Sequence, residues 1–361
     1  MRVLVVNAGS SSLKLSVLDG DELCEAEELP AGGGAVDPEQ IAAAVTGLGA
    51  VDAIGHRIVH GGDRFLDAVK VDPSVVASLW ELADLAPLHQ AKSLEALEAV
   101  SRVRPDCPAV ACFDTAFHAT LPPAAATYAL PRAWRERWGL RRFGFHGLSH
   151  AYAARRAAEL LGRRLDGLRI VTCHLGAGAS LAAVNSGRSV DTTMGFTPLE
   201  GLAMATRSGS VDPGLVLWLL EHTDLAEQRM ARALEYESGM VALAGNADMG
   251  AVIQSAEDGD HDAQLALGVY RHRLRAGVAA MAAAMNGLDV IVWTGGVGQR
   301  APVIRAAGDG LGFLGVEIDH AKNETATGDQ ELTAPGATVR TLVVSAREDL
   351  EIARQVRRVL A

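Results

Sequence analysis

The sequence predicts an α/β protein of two domains in which the second repeats the plan of the first. Three observations lead there. The chain has 361 residues, against about 100–200 for one usual domain. Two hairpins of one shape occur, Val5-Val-Asn-Ala-Gly-Ser-Ser-Ser-Leu-Lys-Leu-Ser-Val-Leu-Asp-Gly20 and Thr172-Cys-His-Leu-Gly-Ala-Gly-Ala-Ser-Leu-Ala-Ala-Val-Asn-Ser-Gly187, with Gly9, Val17 and Gly20 matching Gly176, Val184 and Gly187. After each hairpin, helical spacing alternates with short apolar runs. Unrelated hairpins could share three identities, so duplication draws its weight from both turns being rich in small residues.

Taken in order, the elements follow from local pattern. In the first hairpin apolar runs flank a Gly/Ser cluster, which reads as strand, polar turn, strand. Pro30-Ala-Gly-Gly-Gly-Ala-Val-Asp-Pro38 is a turn-rich surface connection and not an interdomain linker. Helices are expected over Ser74–Ala86 and His150–Leu161, and strands over Ala109–Phe113 and Val290–Thr294. Asp349–Leu360 reads as a helix with Ile352, Val356 and Val359 on one face.

Composition removes several function classes. Hydrophobic residues make up 49% and charged residues 21% of the chain. The alanine-rich stretch from Ala276 is interrupted by Asn286 and Asp289, so no membrane span is expected. A net charge of −11 discourages non-specific contact with nucleic acid or an anionic membrane, so an anionic substrate must meet a local basic cluster. Because Arg2-Val-Leu-Val-Val6 already reads as a buried strand, no signal peptide is expected and the protein is placed in the cytoplasm. Cys24, Cys107, Cys112 and Cys173 form no CxxC pair and read as buried free thiols.

Several stretches could carry chemistry, each with an ordinary alternative. Asn7-Ala-Gly-Ser-Ser-Ser-Leu-Lys14 offers turn N–H groups, hydroxyls at Ser10 and Ser12 and the Lys14 ammonium, suited to a phosphate or simply to a Ser-rich turn. Arg57, in His56-Arg57-Ile-Val-His-Gly-Gly62, sits in an apolar context where it must meet an anion or an internal salt bridge. The stretch from Asp191 to Gly209 sets Met194, Phe196 and Leu199 beside Arg207, which suits a pocket or a packed loop. His146 lies between glycines in Phe143-Gly-Phe-His-Gly147, where a lone histidine is more often structural than catalytic. Asp114 closes an apolar strand, a common catalytic or metal-linked position that also suits a helix cap. The Thr294-Gly-Gly-Val-Gly298 turn lets backbone approach a flat ligand, though glycine-rich strand ends are common.

Together NAGSSSLK, GHRIVHGG, LAPLH, FDTAFH, FGFHG, HLGAGAS, DTTMGFTPLEG and TRSG, in this order, closely resemble the acetate and propionate kinase family, nearly end to end. That family shares its fold with sugar kinases, heat-shock ATPases and actin. The resemblance implies two duplicated ribonuclease-H-like domains, the actin-like ATPase fold, enclosing a central cleft. It sets the first domain at 1–118 plus 349–361 and the second at 119–348, with the nucleotide pocket and the interface of a homodimer in the second. The implied reaction moves a phosphoryl group from ATP to acetate, with Mg²⁺ or Mn²⁺; propionate or another short acid, or pyrophosphate as donor, are the alternatives.

Carried over residue by residue, the resemblance implies that Arg57 and Arg207 clamp the carboxylate and the transferring phosphoryl group, with His146 donating to its oxygens. Asn7, Asp114 and Glu348 would surround the metal. Ser10, Ser12, Lys14 and His174, with Gly176 and Gly178, would contact phosphates. Asp248, Met249, Gly295, Gly296 and Gly298 would line the adenosine pocket, and Val59, Leu88, Phe145 and Pro198 would hold the acyl methyl. The sequence departs from the family pattern at Ala177 and at Gln90-Ala91, where weaker phosphate contacts are expected. Gly250 and Gln299-Arg300 also depart, near the base.

A sugar kinase would need Asp114 as a general base, and a nucleotide-binding switch or filament module would need no acyl clamp. The clamp of Arg57, His146 and Arg207 favours a carboxylate acceptor.

Overall fold

The computed structural model describes residues 1–9, 12–30, 36–85 and 87–361, the side chains of residues 87–89 excepted. Ser10, the side chain of Leu88 and residues 31–35 of the expected surface loop lie outside the described residues. The chain forms two compact units: Met1–Ala119, Phe145–Tyr152 and Arg347–Ala361 make one, Thr120–Gly144 and Ala153–Ala346 the other. Phe145 and His146 therefore belong with Arg57 and Asp114.

The first unit is built on six strands: β1 (Arg2–Ala8), β2 (Ser12–Asp19), β3 (Glu22–Pro30), β4 (Ala53–Ile58), β5 (Val69–Lys70) and β6 (Ala109–Phe113). Their order is β3-β2-β1-β4-β6-β5. The first three form an antiparallel meander, β4 and β6 join parallel, and β5 closes the edge antiparallel. Along β1 alternate residues point to opposite faces. Leu4 and Val6 pack with Ile41, Val45 and Val100, whereas Val3 and Val5 pack with Ile352, Ala353 and Val356 of the terminal helix Glu348–Leu360. Both faces are covered, so β1 is a continuous apolar run rather than an alternating one.

Each fully buried Ile or Val in this contact contributes about 1.5–3 kcal/mol. Gly55 permits the close fit, because a Cβ there would stand 2.5 Å from Ile352 Cγ2. Gly55→Ala would push the helix off the sheet.

The second unit repeats the scheme with β7 (Arg169–Leu175), β8 (Ala179–Asn185), β9 (Arg188–Thr192), β10 (Val290–Thr294), β11 (Gln330–Glu331) and β12 (Arg340–Val343). Its order, β11-β12-β10-β7-β8-β9, is the first order read from the other edge, with the same parallel and antiparallel senses. Even the irregularity recurs: the register shifts between Val17 and Leu18 in one meander and between Ala183 and Val184 in the other. The duplication is thus carried by topology.

Two of the three matched identities are displaced by one residue. Val17 pairs with Leu4, but Val184 pairs with Ile170 and Ala183 with Val171, since the second hairpin turn is one residue shorter. The alanine-rich stretch is part of helix His261–Ala284, whose Gly277 lies against Leu181. No helix among the described residues is long and apolar enough to cross a membrane.

Other expectations need correction. The helix expected over Ser74–Ala86 ends at Glu81 and tightens into a 3-10 turn at Ala83–Leu85, because Pro87 cannot continue it and instead opens the helix Pro87–Val103. The helix expected from His150 begins at Gly147. Cys112 and Cys173 are buried, but Cys24 is exposed, since β3 is an edge strand, and Cys107, before β6, is half-buried.

Candidate active site

In the first unit, polar side chains meet at the C-terminal ends of the adjacent parallel strands β1, β4 and β6, where open α/β sheets present ligand-binding groups. Asn7 comes from β1, Arg57 from β4, Asp114 from the residue after β6, and Glu348 from the first turn of the terminal helix. Arg57 donates from Nε to both Asp114 oxygens at 3.1 Å and from Nη2 to Oδ2 at 2.6 Å. Its Nη1 donates to Asn7 Oδ1 at 3.0 Å, and Asn7 Nδ2 donates to Glu348 Oε2 at 2.9 Å. The internal ion pair left open by the sequence is formed.

Burial lowers the Arg57 pKa, but the charges of Asp114 and Glu348 outweigh it and hold the guanidinium protonated. Burial raises the Asp114 carboxyl, with Arg57 opposing and Glu348 reinforcing. One guanidinium faces two carboxylates, Glu348 Oε2 lying 3.9 Å from Arg57 Nη1. The cluster is rich in oxygen donors, a set that suits a hard divalent cation. Among the described residues no three His, Cys, Asp or Glu side chains converge for a metal. A cation here would rely on the Asn7 amide oxygen beside the two carboxylates.

His146 has a φ of +57°, which a non-glycine residue seldom adopts and which clusters at functional sites. Gly147 N donates to Asp114 O at 2.8 Å, and a Cβ at Gly147 would collide with that oxygen. The backbone carrying His146 is thereby seated on Asp114. Buried His118 supports it: burial lowers the ring's pKa to about 4, so it is neutral and donates from Nε2 to Phe145 O at 3.0 Å.

His60, the residue after buried Val59, meets the Phe145 ring edge-on at 5.4 Å between centroids. Gln90, buried, accepts from His60 N at 3.0 Å and donates to His60 O at 2.9 Å. This departure from the family pattern thus holds the Val59–His60 backbone. Ser12 and Lys14 both meet Glu28 on β3: Ser12 Oγ donates to Oε1 at 2.5 Å and Lys14 Nζ lies 3.9 Å from it. Glu28 was missed, although it stands opposite Lys14 in register and β3 is rich in glutamate.

In the second unit His174, one residue before the end of β7, lies opposite Thr294 on β10, which sets the Gly176–Gly178 turn beside Gly295–Gly298. Gly295 has a φ of +77°, and a Cβ there would stand 2.5 Å from Leu175 O, so only glycine fits. Asp248 caps the helix Met249–Glu257 by accepting from Ala251 N at 2.8 Å, and Met249 is buried. No hydrogen bond or ion pair among the described residues joins Asp248 or Met249 to the glycine turns. Arg207 Nε donates to Glu235 Oε1 at 2.8 Å, and its Nη1 reaches Pro198 O at 3.4 Å. Glu235 was also missed, since nothing in its helix Glu227–Tyr236 marks it out.

Comparison with known proteins agrees with this arrangement. The chain is 47% identical over 310 residues to an acetate kinase of Trichormus variabilis, covering 85% of this chain and 76% of that one. The crystal structure of Porphyromonas gingivalis acetate kinase superposes with a TM-score of 0.91 at 34% identity, covering 100% of both chains. A propionate kinase from Francisella tularensis superposes with a TM-score of 0.90 at 31% identity, covering 99% of each. The fold is accordingly that of the duplicated, actin-like ATPase domains. The sequence pattern of the acetokinase family matches residues 39–354, and the chain belongs to that family.

Proposed function

We propose that the chain transfers the γ-phosphoryl group of ATP to the carboxylate of acetate, reversibly and by direct in-line displacement, giving acetyl phosphate and ADP. Family membership makes it a phosphotransferase with a carboxyl acceptor. The observation that carries the residue roles is the fork between Arg57 and Asp114. A carboxylate with a pKa of about 4 is already ionised and needs no general base. A carboxylate oxygen attacks the γ-phosphorus while the bond to the β-bridging oxygen breaks and ADP leaves.

What the protein must supply is positive charge already in place where negative charge spreads over the transferring group. Asp114 fixes the Arg57 guanidinium from one side, and Glu235 does the same for Arg207. His146 completes the donors. Ser10, Ser12, Lys14, His174, Gly176 and Gly178 would hold the donor's phosphates, and Asp248, Met249, Gly295, Gly296 and Gly298 its adenosine. Val59, Leu88, Phe145 and Pro198 would enclose the methyl group. Mg²⁺ or Mn²⁺ fits Asn7, Asp114 and Glu348 and, when bound, would neutralise phosphate charge.

The finer partner is a second copy of the chain. Helix Pro213–His222 is apolar yet has no buried residue, with Leu215 50%, Leu217 59% and Trp218 53% exposed. An apolar face of this kind supports a homodimer, and a monomer by light scattering would refute it. ATP as donor suits the cytoplasm. The likeness to a propionate kinase supports propionate as a second acceptor. The test is a coupled assay of acetate, propionate and butyrate with ATP, GTP and pyrophosphate. Acetate with ATP is expected to give the highest kcat/KM, and activity on glycerol or a hexose but on no carboxylate would overturn the reading.

A further inference from the structure

We propose that Tyr128, Arg142 and Glu200 are positioning residues that set how the acceptor is held, by locking the turn that carries Pro198 and, through it, Arg207. The inference rests on the acceptor roles given above to Pro198 and Arg207. Tyr128 Oη donates to Glu200 Oε2 at 2.6 Å and accepts from Phe196 N at 2.8 Å. Arg142 donates from Nη2 to the other Glu200 oxygen at 2.6 Å, and from Nη1 to Thr193 O at 3.1 Å and Met194 O at 3.0 Å. The next two residues, Phe143 and Gly144, donate from their backbone N–H groups to Gly195 O at 3.1 and 3.2 Å. Residues 193–196 therefore each have a main-chain group held by the segment 128–144.

The lock leaves no slack. A Cβ at Gly195 would collide with both Glu200 and Tyr128. The Arg142 guanidinium also lies over the Tyr128 ring, 5.6 Å from its centroid. A three-group network with every member satisfied specifies one arrangement. Its output is Pro198, whose carbonyl accepts from Arg207 Nη1 at 3.4 Å. None of the three residues needs to touch the substrate: they fix the backbone from which an apolar wall and a guanidinium are presented.

The decisive variant is Tyr128→Phe, which keeps the ring and removes both hydrogen bonds. Kinetics with acetate, propionate and ATP should show acetate KM raised on the order of tenfold, the scale of a lost hydrogen bond to a charged group. The propionate-to-acetate ratio of kcat/KM should change as well, while ATP KM stays within about twofold, as expected when only acceptor binding is disturbed. Glu200→Gln should move the same constants in the same direction and serves if the tyrosine variant folds poorly. Unchanged acetate KM in folded variants, or acetate and ATP KM rising together, would overturn the positioning role. Pro198→Ala and Arg207→Ala separate the two layers. If neither alters the acetate constants, the acceptor assignment fails and takes this inference with it; if they do and Tyr128→Phe does not, the lock alone is wrong.

Discussion

In the first unit β4 carries His56-Arg57 just before its last residue, Ile58, and in the second the equivalent pair on β10 is Trp293-Thr294. The equivalence is fixed by register, since Val6 faces His56 as Cys173 faces Trp293. Extending it, Asn7 matches His174, and Asp114, three residues past the partner of His56, matches Ala346. One sheet therefore closes in an arginine, an amide and a carboxylate that bind one another, and the other closes in a threonine and a glycine turn. A charged strand end must be balanced by charged neighbours, whereas a glycine end presents backbone N–H groups and needs none. The duplicated frame has been used once for charge and once for backbone. The residues before Arg57 and Thr294 are alike: His56 and Trp293 are both buried, and their ring nitrogens have no hydrogen-bond partner among the described residues.

The sharpest way to break this contrast is at the strand ends themselves. Arg57→Ala should lower kcat about a hundred- to a thousandfold, roughly 3–4 kcal/mol, the scale for removing a donor to developing charge. Its counterpart Thr294→Val should leave turnover intact. Because Thr294 Oγ1 is buried without a partner among the described residues, the methyl should leave stability unchanged or improve it. Equal losses in the two variants, each folded by circular dichroism, would erase the distinction.

Acid should separate the units next. Burial lowers His56 to about 3 and His60 and His118 to about 4, from 6.5, and all three lie in the first unit. The unfolded chain then binds more protons between about pH 6.5 and 4, so their contribution is intact above pH 6.5 and is lost as pH falls through that window. Each histidine removes about 1.4 kcal/mol per pH unit there. Hydrogen exchange at pH 5.5 should show β4 and β6 losing protection before β7 and β10, and the reverse order would refute it.

Two smaller effects compare the binding surfaces. Val59→Ala, in the first unit, should raise the propionate-to-acetate ratio of kcat/KM, by at most the roughly 1–3 kcal/mol that one methylene is worth. A ratio that does not rise means that Val59 does not line the acyl site. Ala177→Asn, in the second unit's turn, should tighten nucleotide by about 0.5–1.5 kcal/mol, one hydrogen bond. Calorimetry showing unchanged affinity would remove Ala177 from the phosphate contacts.

The strands Ala109–Phe113 and Val290–Thr294 were legible to the residue, because each is a short apolar run buried on both faces. The repeat was legible only as a suspicion, since a turn shortened by one residue puts Val184 out of step with Val17. Of the site, Arg57 and Asp114 stood out singly by residue type and setting. Their union did not, because 57 residues separate them, and 341 separate Asn7 from Glu348. Distance along the chain also hid Glu235 from Arg207. Gln90 could be seen only as a departure from a pattern; its grip on His60 needs a buried backbone that no local signal reveals.

The terminal helix has a consequence for synthesis. Ile352, Ala353 and Val356 form part of the core that covers Val3, Val5, Ala53 and Cys112, yet they are separated from those residues by the whole of the second unit. While residues 120–346 are emerging from a ribosome, this face of the first sheet lacks Ile352, Ala353 and Val356, and Glu348 has not yet reached Asn7. The unit begun first is thus finished last, and the oxygen-rich cluster around Arg57 is completed by the same event that closes its core.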